Sequence, residues 1–380
     1  MKFLMISSFL PSVLNFRGKL LEDIHQQGFE IHIVAPDLAI FETEQQQLKS
    51  LGYKVHEIPM QRTGTNPSSD LKTLYAIYQL MLKIKPDYML AYTIKPVIYG
   101  TLAAWFAKVP KRYALITGLG YAFQNVEQGT KRSTFQKLVH GLYRKALSHS
   151  HKVFFQNPDD LALFQDLKLL KPQIPAVVVN GSGVNVTDFE VMPLPCNAQN
   201  QLKVSFLLIA RLLGDKGVRE YAQAAAIIQQ QHPEVEFHLV GWIDENPAAI
   251  TQQELDEWIA DGRLKYWGKL SDVRPAIAAS SVYILPSYRE GTPRTVLEAM
   301  SMGRAIITTD APGCRETVLH SENGYLVAVK SVQSLVDAMM CFVNQPELMV
   351  KMGQRSREIA LNKYDVRQVN QQMLQEMGLI

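Results

Sequence analysis

Short apolar runs alternate with longer stretches of helical periodicity along almost the whole 380-residue chain. This alternation predicts parallel strands joined by helices, because each parallel connection must return the chain to the same edge of its sheet. The strands predicted before residue 180 are Phe3–Ser7, Glu30–Ala35, Tyr53–Ile58, Tyr88–Tyr92, Tyr113–Thr117, Val153–Phe155 and Val177–Val179. Those predicted after residue 201 are Val204–Ile209, Phe237–Gly241, Leu264–Trp267, Val282–Pro286, Ala305–Thr309 and Tyr325–Val329.

The alternation is interrupted once, at NGSGVNVTDFEVMPLPCNAQNQ, residues 180–201. A stretch rich in Gly, Pro and Asn is typical of a linker, and a chain of this length is expected to form about two domains. We therefore predict an α/β protein with two doubly wound, Rossmann-like domains that face a cleft, where the strand ends would bind the ligand. The predicted parts are an N-terminal domain over 1–183, a linker over 184–201, a second domain over 202–364 and a last helix, 365–380, that returns to the first domain.

Charge is unevenly distributed along the chain. Residues 1–180 carry 21 Lys and Arg against 13 Asp and Glu, whereas residues 181–380 carry 18 against 23. Much of the basic excess lies between Lys108 and Lys152, where the single acid is Glu127. Such a segment suggests an anionic surface or ligand. Its part from 131 to 152 has amphipathic spacing, which fits either a helix packed on the sheet or a face resting on anionic lipid.

Three cysteines without metal or disulfide spacing indicate a reducing compartment. The N-terminal run MKFLMISSFLPSVLNFRG has no small-residue cleavage site and indicates a first strand rather than a signal peptide. The longest uncharged apolar stretch, 96–107, is shorter than the roughly 18 to 20 residues that a membrane-spanning helix needs. We expect a cytoplasmic protein without a transmembrane anchor.

A basic loop follows the first strand of the second domain. The stretch ARLLGDKG places Arg211 and Lys216 before a helix that should start near Gly217. Helix amides and the helix dipole favour negative charge at such a position, and the planar fork of Arg211 can bind two oxygens. The loop is a candidate anion site, although a solvated basic loop would have the same composition.

Two glutamates flank a turn in REGTPRTVLEAM, directly after the strand Val282–Pro286. We expect Glu290 at the strand end and Glu298 one turn into a helix, where its carboxylate could accept two hydrogen bonds from a vicinal diol. Turn residues and helix amides would face the same space and could bind phosphate; these candidates are Gly291, Thr292, Arg294, Thr295 and Val296. Alternatively, the two acids could only place negative charge near the positive end of the helix dipole.

Cations, amides and carboxylates beside one cleft suit a ligand with a diphosphate and sugar hydroxyls. The pairing of RLLGDKG with EGTPRTVLEAMSMGRAIITTDAPGCRETV resembles the retaining glycosyltransferases of family 4, which have the two-lobed GT-B fold. The resemblance implies that Arg211 and Lys216 contact the donor diphosphate. It also implies that Glu290 lies near the transferred sugar and that Glu298 binds the ribose. On this basis the catalytic candidates are Glu290, Arg211 and Lys216.

Two stretches of the first domain resemble family members that build capsule, O-antigen or protein-glycan precursors on lipid carriers. They are TIKPVIYG, residues 93–100, and TGLGYAF, residues 117–123, and each follows a strand that should open on the cleft. A tight turn with a packed aromatic would suit the second stretch equally well. The candidates for binding acceptor or sugar are Lys95, Thr117, Gly118, Gly120 and Tyr121.

The first domain also departs from the family pattern. Many relatives have a Gly-Gly pair in the first loop, whereas this chain has LNFRG with only Gly18. We still expect the backbone near Arg17 and Gly18 to approach the diphosphate. Relatives often have a histidine near the sugar, and none lies in or beside TGLGYAF.

The sequence contains no Asp-x-Asp pair of the kind that chelates a metal diphosphate in the other major transferase fold. We therefore predict no metal and no other cofactor, because Arg211, Lys216 and helix amides would stabilise the leaving nucleoside diphosphate. The resemblance implies retention by a front-face route in which the leaving phosphate takes the acceptor's proton.

The expected function is transfer of an N-acetylhexosamine or hexose from a UDP-sugar to a polyprenyl-diphosphate-linked saccharide, at the inner face of the cell membrane. The expected partners are that donor, that acceptor and an anionic membrane surface bound through Lys108–Lys152, with no nucleic acid. Two alternatives stay open. A nucleotide-sugar epimerase or hydrolase of the same fold would need further acids or histidines in the first-domain loops, and a non-catalytic two-lobed binding protein would normally be exported.

Overall fold

The computed structural model describes residues 1–61, 66–119, 123, 134–244, 246 and 248–380, with the backbone alone at residue 135. These residues form two compact units. The first unit contains Met1–Ser182 and Val369–Ile380, and the second contains Gly183–Gln368.

The described part of the first unit is built around a seven-stranded parallel sheet of order β3-β2-β1-β4-β5-β6-β7. Its strands are β1 (Lys2–Ile6), β2 (Glu30–Ala35), β3 (Lys54–Glu57), β4 (Tyr88–Tyr92), β5 (Lys111–Ile116), β6 (Lys152–Phe155) and β7 (Ala176–Val178). The helices between them are α1 (Pro11–Gln26), α2 (Glu42–Ser50), α3 (Pro67–Ile84), α4 (Thr101–Phe106), α5 (Thr134–Leu147) and α6 (Pro158–Asp166).

The second unit has a six-stranded parallel sheet of order β10-β9-β8-β11-β12-β13 in its described residues. Its strands are β8 (Ser205–Ile209), β9 (Glu236–Val240), β10 (Lys265–Tyr266), β11 (Val282–Leu285), β12 (Ala305–Thr309) and β13 (Gly324–Val327). Its helices are α7 (Val218–Gln229), α8 (Gln252–Ala260), α9 (Arg274–Ala278), α10 (Arg294–Ser301), α11 (Val332–Asn344) and α12 (Glu347–Ile359), followed by α13 (Val366–Met377). The predicted class, two doubly wound α/β domains, is confirmed.

Both faces of the first sheet are buried, as the apolar strands require. Side chains alternate along β1, so that Leu4 and Ile6 pack with α3 to α6, whereas Phe3 and Met5 pack with α1, α2 and α13. Helices α4 and α5 therefore lie on one face of the sheet and α13 lies on the other. In the described part of the chain, no helix has the length and apolar composition needed to cross a bilayer.

The C-terminal helix α13 packs on the first sheet through its last three turns. Met373 is fully buried there. The Tyr113 hydroxyl donates to the Met377 carbonyl at 2.7 Å, and Lys152 Nζ lies 2.5 Å from Glu376 Oε2. These contacts explain why residues from Val369 onward belong to the first unit although the preceding chain belongs to the second.

The segment 184–201, expected to be a linker, is instead packed on the second unit. Val184 and Val186 are buried in its core, and the Arg357 guanidinium donates to the Val186 carbonyl at 3.2 Å. Arg304 is 1% exposed and binds only backbone carbonyls, those of Ile277, Met302, Ala278, Met192 and Pro193. An irregular stretch can lie against a core because these two arginines satisfy its carbonyls.

We predict that Arg304→Ala destabilises the protein by about 3 kcal/mol, because it leaves buried carbonyls without a donor. Burial lowers the pKa of Arg304 to about 10, because the charged guanidinium is shielded from water. Urea unfolding followed by circular dichroism measures the change. The matched control is Arg355→Ala, which removes an arginine from exposed ion pairs with Glu322 and Glu358 and should leave the free energy of unfolding unchanged. Equal losses in the two variants would contradict the prediction.

Candidate functional site

The loop after β8 carries the predicted cations to the start of α7. It contains Arg211 and a short 3-10 turn at Gly214–Lys216, and it ends at Gly217, whose φ is +70°. A Cβ atom at Gly217 would lie 2.3 Å from the carbonyl oxygen of Pro286, at the end of β11. Only glycine permits this approach, which brings the loop after β8 against the loop after β11.

Lys216 and Glu290 meet across these two loops. Lys216 Nζ lies 2.5 Å from Glu290 Oε1, and each side chain is 16% exposed. The Glu290 amide donates to the Pro312 carbonyl at 2.9 Å, and the neighbouring Tyr288 amide donates to the Asp215 carbonyl at 2.9 Å. The backbone on both sides of the pair is therefore fixed by loops that follow different strands.

The buried thiol of Cys314 lies close enough to the Glu290 carboxylate for that charge to affect its pKa. Burial and, to a smaller extent, the nearby Glu290 carboxylate raise the pKa of the Cys314 thiol to about 12, while Lys216 opposes this effect. The thiol is kept protonated, which fits a packing role for this cysteine as expected for a residue without a metal or disulfide partner.

Glu298 lies in α10, as predicted, and is 6% exposed. Arg294 Nε donates to Glu298 Oε1 at 2.8 Å, across one helical turn. Burial nevertheless raises the pKa of Glu298, and Arg294 only partly offsets that effect. The carboxylate is thus desolvated in the absence of ligand, and hydroxyl donors of a bound molecule would relieve this cost.

The helix start at α10 differs from the expectation in one respect. The Val296 amide donates to the Pro293 carbonyl at 3.1 Å, so it already has an acceptor and is not an unpaired donor for a phosphate. The Thr295 hydroxyl contacts the Tyr283 hydroxyl at 2.6 Å, which ties it to the sheet. Gly291 is buried and Thr292 is half-buried in the turn between β11 and α10.

Arg211 has an acidic neighbour that the sequence did not indicate. Its Nη1 atom lies 3.0 Å from Asp244 Oδ2, and the arginine side chain is 37% exposed. Asp244 follows β9, the strand beside β8 in the sheet. Sequence separation hides this pairing, because two adjacent strand ends meet only after the sheet has formed.

Contrary to the expectation from the sequence, Arg17 and Gly18 do not lie in a loop. Both lie inside α1, which begins at Pro11 directly after β1, so their amides belong to the helix ladder rather than to a loop. Arg17 is 3% exposed, and its guanidinium lies 5.7 Å from the ring centroid of Tyr92. A Cβ at Gly18 would meet no atom closer than 4.0 Å, so no close backbone approach requires this glycine.

The other first-unit candidates lie at strand ends. Lys95 follows β4, and its Nζ lies 2.8 Å from Asp70 Oδ1, while the Tyr99 hydroxyl donates to Asp70 Oδ2 at 2.9 Å. Thr93 has a φ of +68°, rare for a β-branched residue, and its hydroxyl contacts that of Ser8 at 2.8 Å. The sequence did not indicate Asp70, which comes from α3.

Thr117 and Gly118 follow β5, and Gly118 has a φ of +146°. Gly120 and Tyr121 lie outside the described residues. The ring of Phe123, from the same stretch, lies 4.8 Å from the ring of His140, which is 2% exposed on α5. A histidine therefore does pack beside TGLGYAF, and only the fold reveals it.

Two family models match the chain. Residues 203–345 match the model described as "Glycosyl transferases group 1", and residues 12–157 match "Glycosyl transferase 4-like". The matched segments take in about three quarters of the chain, including the loops with Lys216 and Glu290. The chain belongs to the family 4-like glycosyltransferases. This confirms the resemblance found in the sequence, and the protein is a glycosyltransferase.

Relatives of this glycosyltransferase extend over most of its length. It is 27% identical over 375 residues to the N,N'-diacetylbacillosaminyl-diphospho-undecaprenol alpha-1,3-N-acetylgalactosaminyltransferase of Campylobacter jejuni subsp. jejuni serotype O:2, covering 96% of this chain and 94% of the relative. It is 24% identical over 306 residues to the UDP-Gal:alpha-D-GlcNAc-diphosphoundecaprenol alpha-1,3-galactosyltransferase of Escherichia coli, covering 78% and 76%. Among solved structures, Anabaena HepE in complex with UDP-glucose has a TM-score of 0.74 and 17% identity, with all of both chains covered, which shows the GT-B fold.

We predict that Glu298→Gln becomes more stable than the wild type as the pH rises from about 4 to about 7. Burial raises the pKa of Glu298 above its ordinary 4.5, so ionisation of this group costs the folded protein free energy above that pH, and Gln removes the cost. Urea unfolding at a series of pH values measures the difference.

The matched control, Glu254→Gln, should show the opposite trend. The hydrogen bond from Arg219 lowers the pKa of Glu254 to about 2, so its ionised form stabilises the protein above about pH 4.5 and this contribution is lost toward pH 2. A Glu298→Gln variant whose stability relative to the wild type falls or stays level as the pH rises above about 4.5 would contradict the assignment of a desolvated carboxylate.

Proposed function

We propose that this glycosyltransferase moves a sugar, an N-acetylhexosamine or a hexose, from a UDP-sugar to a saccharide carried on a polyprenyl diphosphate, with retention of configuration. The observation that carries the proposal is the Lys216–Glu290 pair at 2.5 Å, held at adjoining strand ends of the second unit. When the bond between sugar and diphosphate breaks in a nucleotide sugar, an adjacent cation can stabilise the diphosphate and an adjacent carboxylate can stabilise the sugar.

On the donor side, Arg211 and Lys216 are proposed to stabilise the charge that develops on the leaving UDP. Asp244 and Glu290 pair with these cations at 3.0 and 2.5 Å and hold them in place. The buried carboxylate of Glu298 is proposed to accept hydrogen bonds from the ribose hydroxyls. This assignment agrees with the raised pKa of Glu298, because bound hydroxyl donors would replace the water that burial excludes.

Glu290 is proposed to hold the donor sugar rather than to attack it. A retaining hydrolase uses two carboxyl groups about 5 Å apart, one of them as nucleophile. In this chain the Lys216 ammonium lies at hydrogen-bond distance from the Glu290 carboxylate. A charged lysine at that position favours electrostatic support of the sugar and of the leaving phosphate, which then takes the acceptor's proton on the same face.

The acceptor assignment rests on the relatives, whose names specify undecaprenol-diphosphate-linked saccharides. Lys95, Thr117 and Gly118 are proposed to bind the acceptor, since they follow β4 and β5 at the edge of the first sheet where ligands of such folds bind. A lipid-linked acceptor further implies that the enzyme rests on the inner face of the cell membrane through the basic segment Lys108–Lys152.

Incubation with a panel of UDP-, GDP- and ADP-sugars, with and without polyprenyl-diphosphate-linked saccharide, tests the function. Release of UDP that requires the acceptor, with a new α-linkage from an α-linked donor observed by NMR, is the expected result. Acceptor-independent release of UDP would point to an epimerase or hydrolase. Binding without turnover of any donor would point to a sugar-nucleotide binding protein.

We predict that Glu290→Gln lowers kcat about a hundredfold with a small change in the donor KM, because the carboxylate supports charge only as the sugar–phosphate bond breaks. Glu298→Gln should instead raise the donor KM with little change in kcat. Glu254→Gln, which neutralises another salt-bridged carboxylate of the second unit, is the control and should change neither. The reverse pattern would mean that the roles of Glu290 and Glu298 are interchanged.

Transfer is predicted to proceed at an unchanged rate in EDTA, because Arg211 and Lys216 supply the positive charge that a divalent metal would otherwise supply to the diphosphate. The rate of UDP release before and after chelation measures this. Activity lost in EDTA and restored by manganese would overturn the proposal of metal-free transfer.

A further inference from the structure

Two aromatic side chains stand at the surface where α4 ends. Phe106 is 54% exposed and Trp105 is half-buried, and their ring centroids are 4.7 Å apart. His149 stacks on the Trp105 indole with ring centroids 3.8 Å apart and planes 12° apart, and Lys145 Nζ lies 5.2 Å from the centre of the indole. The indole is thus held in position from the protein side, while the Phe106 ring faces solvent.

Exposed cations lie on the segments next to this aromatic pair in the sequence and in the fold. Lys108, Lys111 and Lys145 are exposed, and so are Lys168 and Lys171. Burial lowers the pKa of His149, and the charges of Lys145, Arg112 and Lys171 act in the same direction.

The cations near the aromatic pair have no carboxylate partner within the described ranges of the chain. The arginines donate to backbone carbonyls instead: Arg112 Nε to that of His149 at 2.7 Å, and Arg144 Nε to that of Lys168 at 2.8 Å. By contrast, Lys95 and Lys152 of the first unit form salt bridges, with Asp70 and Glu376 respectively. The positive charge here is therefore available to an external anion.

The outward face of α5 continues this surface. Val139 and Tyr143 point into the core, whereas Lys137, Leu138 and Lys145 are exposed. Leu138 is 57% exposed and lies two helical turns before Lys145, on the same side of the helix. Helices α4 and α5 pack on the same face of the sheet, so the aromatic pair and the α5 face form one side of the first unit.

We propose that Trp105 and Phe106 enter the interfacial layer of an anionic lipid bilayer, while Lys108, Lys111 and Lys145 bind its lipid phosphates. The inference rests on the proposed lipid-linked acceptor and names the residues that hold the enzyme on the membrane. Trp and Phe favour the boundary between headgroups and acyl chains, and each nearby lysine adds electrostatic attraction. An exposed phenylalanine flanked by lysines suits a fluid anionic surface better than a rigid macromolecular partner.

The test uses the full chain and vesicles of phosphatidylcholine with phosphatidylglycerol, compared with vesicles of phosphatidylcholine alone. We expect binding to the anionic vesicles to fall about tenfold in the double variant Trp105→Ala and Phe106→Ala. Neutralising Lys108 and Lys145 with Gln should weaken it about fivefold for each lysine. Quenching of tryptophan fluorescence by brominated lipid should be strong in the wild type and reduced in Trp105→Phe, which keeps an aromatic ring.

The matched control is the double variant Ile40→Ala and Leu51→Ala. It removes two exposed apolar side chains that flank α2, on the opposite face of the first sheet, and should bind vesicles as the wild type does. Thermal melting of every variant verifies folding. Unchanged binding of the Trp105 and Phe106 variant, or equal losses in it and the control, would overturn the inference. Equally tight, Phe106-dependent retention of RNA would overturn it as well, in favour of a general polyanion surface.

Transfer to a water-soluble saccharide diphosphate without a long prenyl chain separates this inference from the proposed function. The Trp105 and Phe106 variant should transfer sugar to that acceptor at the wild-type rate but be slow on acceptor embedded in vesicles. A wild type that is active on the soluble acceptor but does not bind anionic vesicles would sink the inference and leave the function standing. A wild type that binds the vesicles but transfers no sugar would overturn the proposed function and leave the inference standing.

Discussion

Two close approaches of backbone to glycine hold the candidate donor site together. A Cβ atom at Gly217 would lie 2.3 Å from the Pro286 carbonyl oxygen, and one at Gly313 would lie 2.1 Å from the Glu290 carbonyl oxygen. Because both glycines also have positive φ, no other residue fits without strain, and the loop after β11 is held between those after β8 and β12. Glu290 can reach Lys216 because these backbone contacts fix the position of the loop after β11.

The chemistry proposed for the second unit follows from this placement. Packing brings Lys216 beside Glu290, and it buries Glu298 one helical turn after Arg294. The first pair keeps a cation and an anion at one point, the arrangement that is proposed to bind the diphosphate and the sugar of the donor. Burial already desolvates the Glu298 carboxylate in the folded protein. Ligand binding therefore does not have to supply the free energy of that desolvation.

The sheets were predictable because parallel strands are buried on both faces and so appear as continuous apolar runs. Strand ends and helix starts were less predictable. The glycine in LNFRG suggested a loop, yet Pro11 starts α1 directly after β1, since a proline in the first helical turn lacks only an amide that would have no partner there. Composition likewise suggested a linker at 184–201, whereas buried Arg304 and half-buried Arg357 satisfy carbonyls of that segment and hold it on the second unit.

By itself, the sequence determined the two α/β domains, the family, and the positions of Lys216, Glu290 and Glu298 at strand ends or one helical turn beyond. Local periodicity and motif spacing carry that information. Only the tertiary structure decided which groups meet: Arg211 with Asp244, Lys95 with Asp70, His140 with Phe123, and Trp105 with His149. Each of these pairs joins different secondary-structure elements, whose side chains come within contact distance only when the sheet and its helices pack together.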